Sequence, residues 1–172
     1  ERRAQFDMMD IVWEALHEKR ECVVEASTGI GKSLAYLLPA ILYAKRTQQK
    51  VGISTYTGYL QEQLLEEELP KIERVLRTSV HVALLKGMQH YVDLDRVTQM
   101  LRTELQSYDE TSTLLQVLVW LTKTETGDLS EITVTGGGQL VLDRLRKSPA
   151  APVASVDYYE RALTRSRDAE VI

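Results

Sequence analysis

Cysteine is almost missing from this chain: Cys22 stands alone, so no internal disulfide can form and no metal site can be built from several thiolates. Phenylalanine also occurs only once, which leaves the core to Leu, Val, Ile and Ala, a palette that suits a parallel sheet covered by helices. There is no strong excess of either charge. The net charge of −4 excludes a polycation, so any contact with nucleic acid must come from a local groove rather than from bulk attraction. No apolar run is long enough to span a bilayer; the longest, around Leu34–Ala44, is interrupted by Tyr36 and Pro39. The start of the sequence carries no secretory leader pattern, and a reducing, cytoplasmic setting is the expectation. In that setting Cys22, followed by Val23 and Val24, is expected to be a buried, inert thiol.

What is present suits a soluble domain of ordinary make-up, with 44% hydrophobic and 27% charged residues across 172 positions, enough for one domain with a small insertion. Gln5–His17 places Phe6, Met9, Val12, Trp13 and Leu16 at helical spacing. Glu21–Ala26 reads as a short buried strand, Lys32 to about Lys45 as a long helix, Lys50–Thr55 as a second strand, Gly58–Arg77 as a second long helix and Ser79–Leu85 as a third strand. Strand alternating with helix is the signature of a doubly wound α/β fold with a parallel sheet. From Lys86 the pattern turns helical, over Tyr91–Gln106, Thr111–Thr124 and Gln139–Lys147, with one possible short strand at Glu131–Thr135. Ser148–Pro152 reads as a linker, Asp157–Arg167 as a helix and Ala169–Ile172 as the start of a strand.

Between the first strand and its helix stands Ala26-Ser27-Thr28-Gly29-Ile30-Gly31-Lys32-Ser33, the phosphate-loop pattern with Ala in place of the first Gly. The residue types follow from the chemistry. Gly29 and Gly31 let backbone N–H groups surround phosphates without interference from Cβ. Lys32 offers a cation to the β- and γ-phosphates, and the Ser33 hydroxyl can ligate magnesium. The helix that opens here points its positive end at the same place.

A second segment, Ser54-Thr55-Tyr56-Thr57 and then Leu60-Gln61-Glu62-Gln63-Leu64, ends a strand and opens a helix at the edge where open α/β sheets bind ligands. Its hydroxyls and amides suit backbone phosphates, which need donors and no base reading; simple helix capping is the competing reading. His17, His81 and His90 are too scattered for a metal site. Asp93 and Asp95 read as capping groups, and Trp13 and Trp120 as core residues. Lys86, His90 and Arg96 stand open between contact with a phosphate backbone and a solvated face.

Taken together, these motifs resemble the DinG/XPD branch of superfamily 2 helicases. Glu25–Ser33 resembles helicase motif I and Ser54–Leu64 resembles motif Ia, with Ser54, Thr55, Thr57 and Gln61 as the DNA-facing residues. Gln5 sits where the branch has a Gln before its first helix. Lys86-Gly87-x-x-His90-Tyr91, Glu125-Thr126-Gly127-Asp128-Leu129 and Asp157-Tyr158-Tyr159-x-Arg161-Ala162 are similar to further stretches of the same branch. The resemblance implies a RecA-like ATP-binding domain over residues 1–85, a helical insertion over 86–150 and a return to the RecA-like domain over 151–172. It implies a motor that couples ATP hydrolysis, with Mg2+, to movement along single-stranded or partly duplex DNA. Lys32 and Ser33 would be catalytic, and Gln5 with Ala26, Ser27, Thr28, Gly29, Ile30, Gly31, Lys32 and Ser33 would bind the nucleotide.

Two departures qualify that implication. Iron–sulfur members of the branch carry their first cluster cysteine two residues after the insertion Tyr. Here that position is Asp93, so no iron–sulfur cluster is expected. The Asp-Glu-Ala-His box and the second motor domain are not within these residues, so the isolated stretch is expected to bind nucleotide at most and to depend on the rest of the helicase chain for turnover. The competing readings are another P-loop enzyme, such as a small-molecule kinase, and a non-catalytic nucleotide-binding module.

Overall fold

The computed structural model describes residues 2–103, 107–149 and 157–172. The end of the helix expected to reach Gln106, the later part of the expected linker and the expected boundary at 150/151 lie outside the described residues. The chain divides into two compact units, Glu1–Leu84 with Ser166–Ile172, and Leu85–Arg165.

In the first unit α1 covers Arg2–Glu18 and packs against α2, Lys32–Thr47. Its buried stripe is centred on Met8 and Ala15, with Met9, Val12, Trp13 and Leu16 half-buried, whereas Phe6 is exposed. At 3.6 residues per turn Phe6 lies roughly 200° round the helix from Met8, so both cannot face α2. Arg46 of α2 lies over the Trp13 ring at 5.1 Å, and the His17 ring meets Tyr43 edge-on at 5.4 Å. Leu37 and Ile41 on the inner face of α2 join Ile72, Val80 and Val171 in one apolar cluster.

The second long helix forms as three parts: α3, Gly58–Gln63, a π-helical segment, Leu64–Glu68, and α4, Leu69–Leu76. Pro70 accounts for the interruption. It has no N–H to give to the carbonyl four residues back, and the Leu69 amide instead reaches Leu64, one residue further back than in an α-helix.

The expected parallel sheet is reduced, among the described residues, to isolated bridges. Val171 pairs in parallel with Val51 on one side and Val82 on the other. The Ile53 amide donates to the Ile172 carbonyl at 2.8 Å and the Ala83 amide to the Val171 carbonyl at 3.0 Å, so 170–172 runs between 51–53 and 81–83. Lys45 and the His81 amide both hold the Glu170 carboxylate at this ladder. The His81 amide and Lys45 pull its pKa below the ordinary value against a partial burial that would raise it.

The expected buried strand Glu21–Ala26 is a correction: no bridge reaches it among the described residues, Val23 is fully exposed and Cys22 is exposed rather than buried. β-branched residues favour extended backbone, but a strand exists only when neighbours take up its N–H and C=O groups, and pairing is a property of the neighbours.

The second unit is built on α5, Leu94–Arg102, α6, Tyr108–Leu121, α7, Gly138–Leu145, and α8, Tyr158–Asp168, as far as Arg165. Glu131–Thr135, read as a possible strand, is a 3-10 turn continuing into irregular chain. Tyr91 instead bridges to Asp128 and Val92 to Arg146, both in antiparallel fashion, which no apolar alternation had signalled. Around this bridge Tyr91, Val97, Leu114, Val117, Leu129, Leu142, Leu145 and Ala162 form the core.

Three buried aspartates in this unit share a division of labour. Asp93 Oδ1 accepts from the amides of Asp95 and Arg96, Asp128 Oδ1 from the amide and hydroxyl of Ser130, and Asp157 Oδ1 from the amides of Tyr159 and Glu160. Each cap leaves Oδ2 for a cation: Arg96 at 3.8 Å, Lys86 at 2.5 Å and Lys147 at 2.5 Å respectively. At Asp128 burial works against ionisation, but Lys86 and the Ser130 donors outweigh it and hold the carboxyl below its ordinary pKa.

Candidate functional site

The loop between Ala26 and Ser33 is shaped by its two glycines. Gly29 and Gly31 both take left-handed backbone, at φ 84° and φ 79°, a region in which a side chain is strained and glycine is not. Left-handed residues alternating with ordinary ones turn successive N–H groups to one side, which is the geometry of an anion nest. Gly31 is also the N-cap of α2, and no side chain caps that helix start, so its first-turn donors and the helix dipole are left facing the loop.

Two side chains tie the loop together. Gln5 Nε2 of α1 donates to the Gly31 carbonyl at 3.1 Å. Lys32 Nζ folds back to donate to the carbonyls of Ala26 and Ser27 at 2.9 and 3.0 Å. These carbonyls hold the ammonium group without neutralising it. Thr28, Gly29 and Gly31 are exposed, while Lys32 and Ser33 are half-buried at the mouth of the helix. The Ser33 hydroxyl is hydrogen-bonded to the Tyr36 phenol, whose pKa is raised chiefly by burial, with Ser33 acting in the opposite direction. The structure thus gathers Gln5, Ala26, Ser27, Gly31 and Lys32 around one open loop.

Donors without Cβ obstruction, an uncapped helix start and one ammonium group match the needs of a triphosphate, and the Ser33 hydroxyl is of a type that could ligate an accompanying metal ion. Gly31→Ala should therefore weaken nucleotide binding about tenfold or more. The new Cβ would run into Gln5 Nε2, the end of a flexible side chain, and push that amide off the Gly31 carbonyl, as well as imposing the left-handed strain, which alone is worth about 1–2 kcal/mol. Gly29→Ala should do less, because its methyl meets nothing within 4 Å and only the strain remains. Titration of the full-length protein with a fluorescent ATP analogue and magnesium would rank the two variants; equal losses would show that the Gln5 contact is irrelevant.

The second predicted group forms its own local arrangement. The Thr55 hydroxyl donates to the Thr57 carbonyl at 3.2 Å, and Thr57 Oγ1 caps α3 by accepting from the Leu60 amide at 3.3 Å. Capping is thus one role of Thr57, and its hydroxyl proton remains to donate. Ser54 is exposed and Gln61 half-buried. Sequence reasoning passed over the aromatic rings interleaved with these hydroxyls, Tyr56 and Tyr59, which are 99% and 72% exposed.

Lys86 is not on a solvated face; it is half-buried, with its side chain drawn in against Asp128, and also donates to the Ser130 hydroxyl. Arg96 reaches the Arg144 carbonyl. Trp120 packs on the core and donates its Nε1–H to Glu131. Asp93 caps α5, the role read for it in the sequence, although the helix begins at Leu94 rather than at Tyr91. The ion pairs Lys86–Asp128 and Lys147–Asp157 were missed; the aspartates carry a capping signal, but nothing local marks their distant partners.

The comparisons with known proteins agree with this loop. Residues 8–136 match the family model for the DEAD/DEAH box helicase, three quarters of the chain, and the chain belongs to that family. Membership implies ATP and a divalent metal as cofactors. More particularly, the chain is similar to the 3'-5' exonuclease DinG of Bacillus subtilis (strain 168), at 40% identity over 168 residues, which is 94% of this chain and 18% of that protein. It is also similar to the proteins of the same name from Staphylococcus epidermidis, at 34% identity, and Staphylococcus aureus (strain USA300), at 33%, each over 92% of this chain and 18% of the relative. The chain thus spans less than a fifth of the length of these relatives. Among the described residues no helix is long and apolar enough to cross a membrane.

Proposed function

We propose that this chain is part of the first motor domain of a DinG-like DNA helicase, in which ATP hydrolysis drives translocation along DNA and its unwinding. The observation that carries the reading is the open loop at Gly29–Ser33, with two left-handed glycines, an uncapped helix start and a lysine tethered only by carbonyls. In this reading residues 1–85 and 151–172 belong to a RecA-like ATP-binding domain built on a parallel sheet, and 86–150 form a helical insertion. Gln5 and Ala26–Ser33 surround the triphosphate, Lys32 contacts its β- and γ-phosphates and Ser33 holds Mg2+. The metal supplies charge neutralisation on the phosphates; the loop's own residues bind, orient and shield them. Ser54, Thr55, Thr57 and Gln61 meet the sugar–phosphate backbone of single-stranded or partly duplex DNA.

The insertion carries no iron–sulfur cluster in this reading. Asp93 is engaged in capping α5, and the one thiol of the chain, Cys22, lies in the other unit. Helix packing and the Lys86–Asp128 pair hold the insertion instead, and the Lys147–Asp157 pair ties its end to the segment that follows. A cytoplasmic location accords with this thiol usage.

The test is ATP hydrolysis by the full-length protein with and without single-stranded DNA. Strong stimulation by DNA is the expected result. Stimulation by a small-molecule acceptor, with transfer of the γ-phosphoryl group to it, would replace the motor by a kinase, and binding without hydrolysis would leave a non-catalytic module.

A further inference from the structure

We propose that the rings of Tyr56 and Tyr59 form a stacking platform for the bases of single-stranded DNA, so that this segment grips bases as well as backbone; the proposal rests on the helicase reading above. Both rings stand out from the protein, at 99% and 72% exposure, on either side of the helix start at Gly58. Folding gains almost nothing from them there, since hydrophobic stabilisation scales with apolar area removed from water. The backbone beneath them is nevertheless fixed: Thr55 bonds across to the Thr57 carbonyl, Thr57 caps the helix, and the Gln61 amide bonds back to the Thr57 carbonyl at 3.3 Å. The rings are therefore held out in place on a braced turn.

The charge of the segment selects the kind of contact. Residues 54–63 contain no Lys or Arg and do contain Glu62, so the segment has no cation with which to neutralise phosphates. Attraction must come from hydroxyl donors and from π-faces, and a flat aromatic ring offers any unpaired base a sequence-tolerant partner. A duplex keeps its bases stacked on one another and hides these faces, which favours a single strand.

The experiment compares binding of the full-length protein, without nucleotide, to an oligo-dT strand and to an abasic strand of equal length. Wild type should prefer oligo-dT. Tyr56→Ala and Tyr59→Ala should each lose roughly 5- to 100-fold in affinity for oligo-dT and little for the abasic strand. Tyr56→Phe and Tyr59→Phe, which keep the ring, should bind as wild type and control for folding. A strand with 2-aminopurine should be quenched on binding wild type and stay brighter on the Ala variants. Equal affinity of wild type for the two strands, or Ala variants that bind oligo-dT as wild type does, would overturn the platform while leaving DNA binding intact; the second outcome would show the rings covered by other parts of the protein. Failure to bind either strand would instead remove the helicase reading on which the proposal stands.

Discussion

Lys32→Ala should abolish ATP-dependent strand separation by the full-length protein while leaving it folded. Among the described residues the ammonium group donates to two carbonyls of its own loop, at 2.9 and 3.0 Å. Its energetic value therefore lies in what it meets when a triphosphate enters, and the resting contacts serve to park it. Moving it onto phosphate replaces two neutral acceptors with a concentrated negative charge in a partly dehydrated loop, where charge-assisted bonds are stronger. Removing one positioned donor of this sort costs on the order of 100- to 1,000-fold in turnover, and more where the donor is a full charge shared between the transferring and adjacent phosphates. Folding should be nearly untouched, because the side chain is half-buried, outside the apolar cluster and replaced by a good helix former at the first position of α2. A thermal midpoint within a few degrees of wild type and unwinding at background level are the expected pair of results. Lys32→Arg separates charge from shape: the wider guanidinium keeps the cation but does not fit a point-charge site, and activity should stay low. Unwinding retained by Lys32→Ala would reject the assignment of this loop.

This loop was legible in the sequence for a physical reason. Its geometry depends on residue types at fixed local spacing, with glycines where the backbone turns left-handed and a cation at the first position of the helix, and local spacing is what a sequence displays. The helices around it were legible too, through their period, although the interruption near Leu64–Glu68 could be understood only after seeing that Pro70 shifts the register. Strands fared worse. Glu21–Ala26 has the composition of a strand and no partner among the described residues, whereas Tyr91 and Val92 have no alternating pattern and yet form antiparallel bridges. Pairing between segments far apart in the chain decides both cases, and no local window contains it. Phe6 erred through a smaller effect: a stripe of apolar residues marks a helix, but a rotation of one residue decides which of them is buried.

The buried lysine–aspartate pairs were equally invisible, and Asp157 shows what they contribute. Asp157→Ala should loosen the second unit more than any single loss of apolar contact on its surface. Two functions leave together. Oδ1 caps α8 through the amides of Tyr159 and Glu160, at 3.0 and 3.2 Å, and loss of such a cap costs about 1 kcal/mol. Oδ2 lies 2.5 Å from Lys147 Nζ as an ion pair whose angles do not make a directed hydrogen bond, and the two side chains are only 4% and 8% exposed. Taking away the carboxylate strands a buried ammonium group, an expense of roughly 3–5 kcal/mol. Hydrogen exchange in α8 and α7 of the full-length protein would read this as protection lowered about 1,000- to 10,000-fold, since each 1.4 kcal/mol is a factor of ten. Asp157→Asn keeps a capping oxygen and loses only the charge, so it should fall between Asp157→Ala and wild type. Combining Asp157→Asn with Lys147→Met removes both charges and should recover much of the loss, because the expense lies in the unpaired ion and the pair itself adds little beyond a well-packed neutral substitute. If Asp157→Asn and the double variant exchange alike, both close to wild type and well above Asp157→Ala, the cap alone is what matters and Lys147 is a bystander.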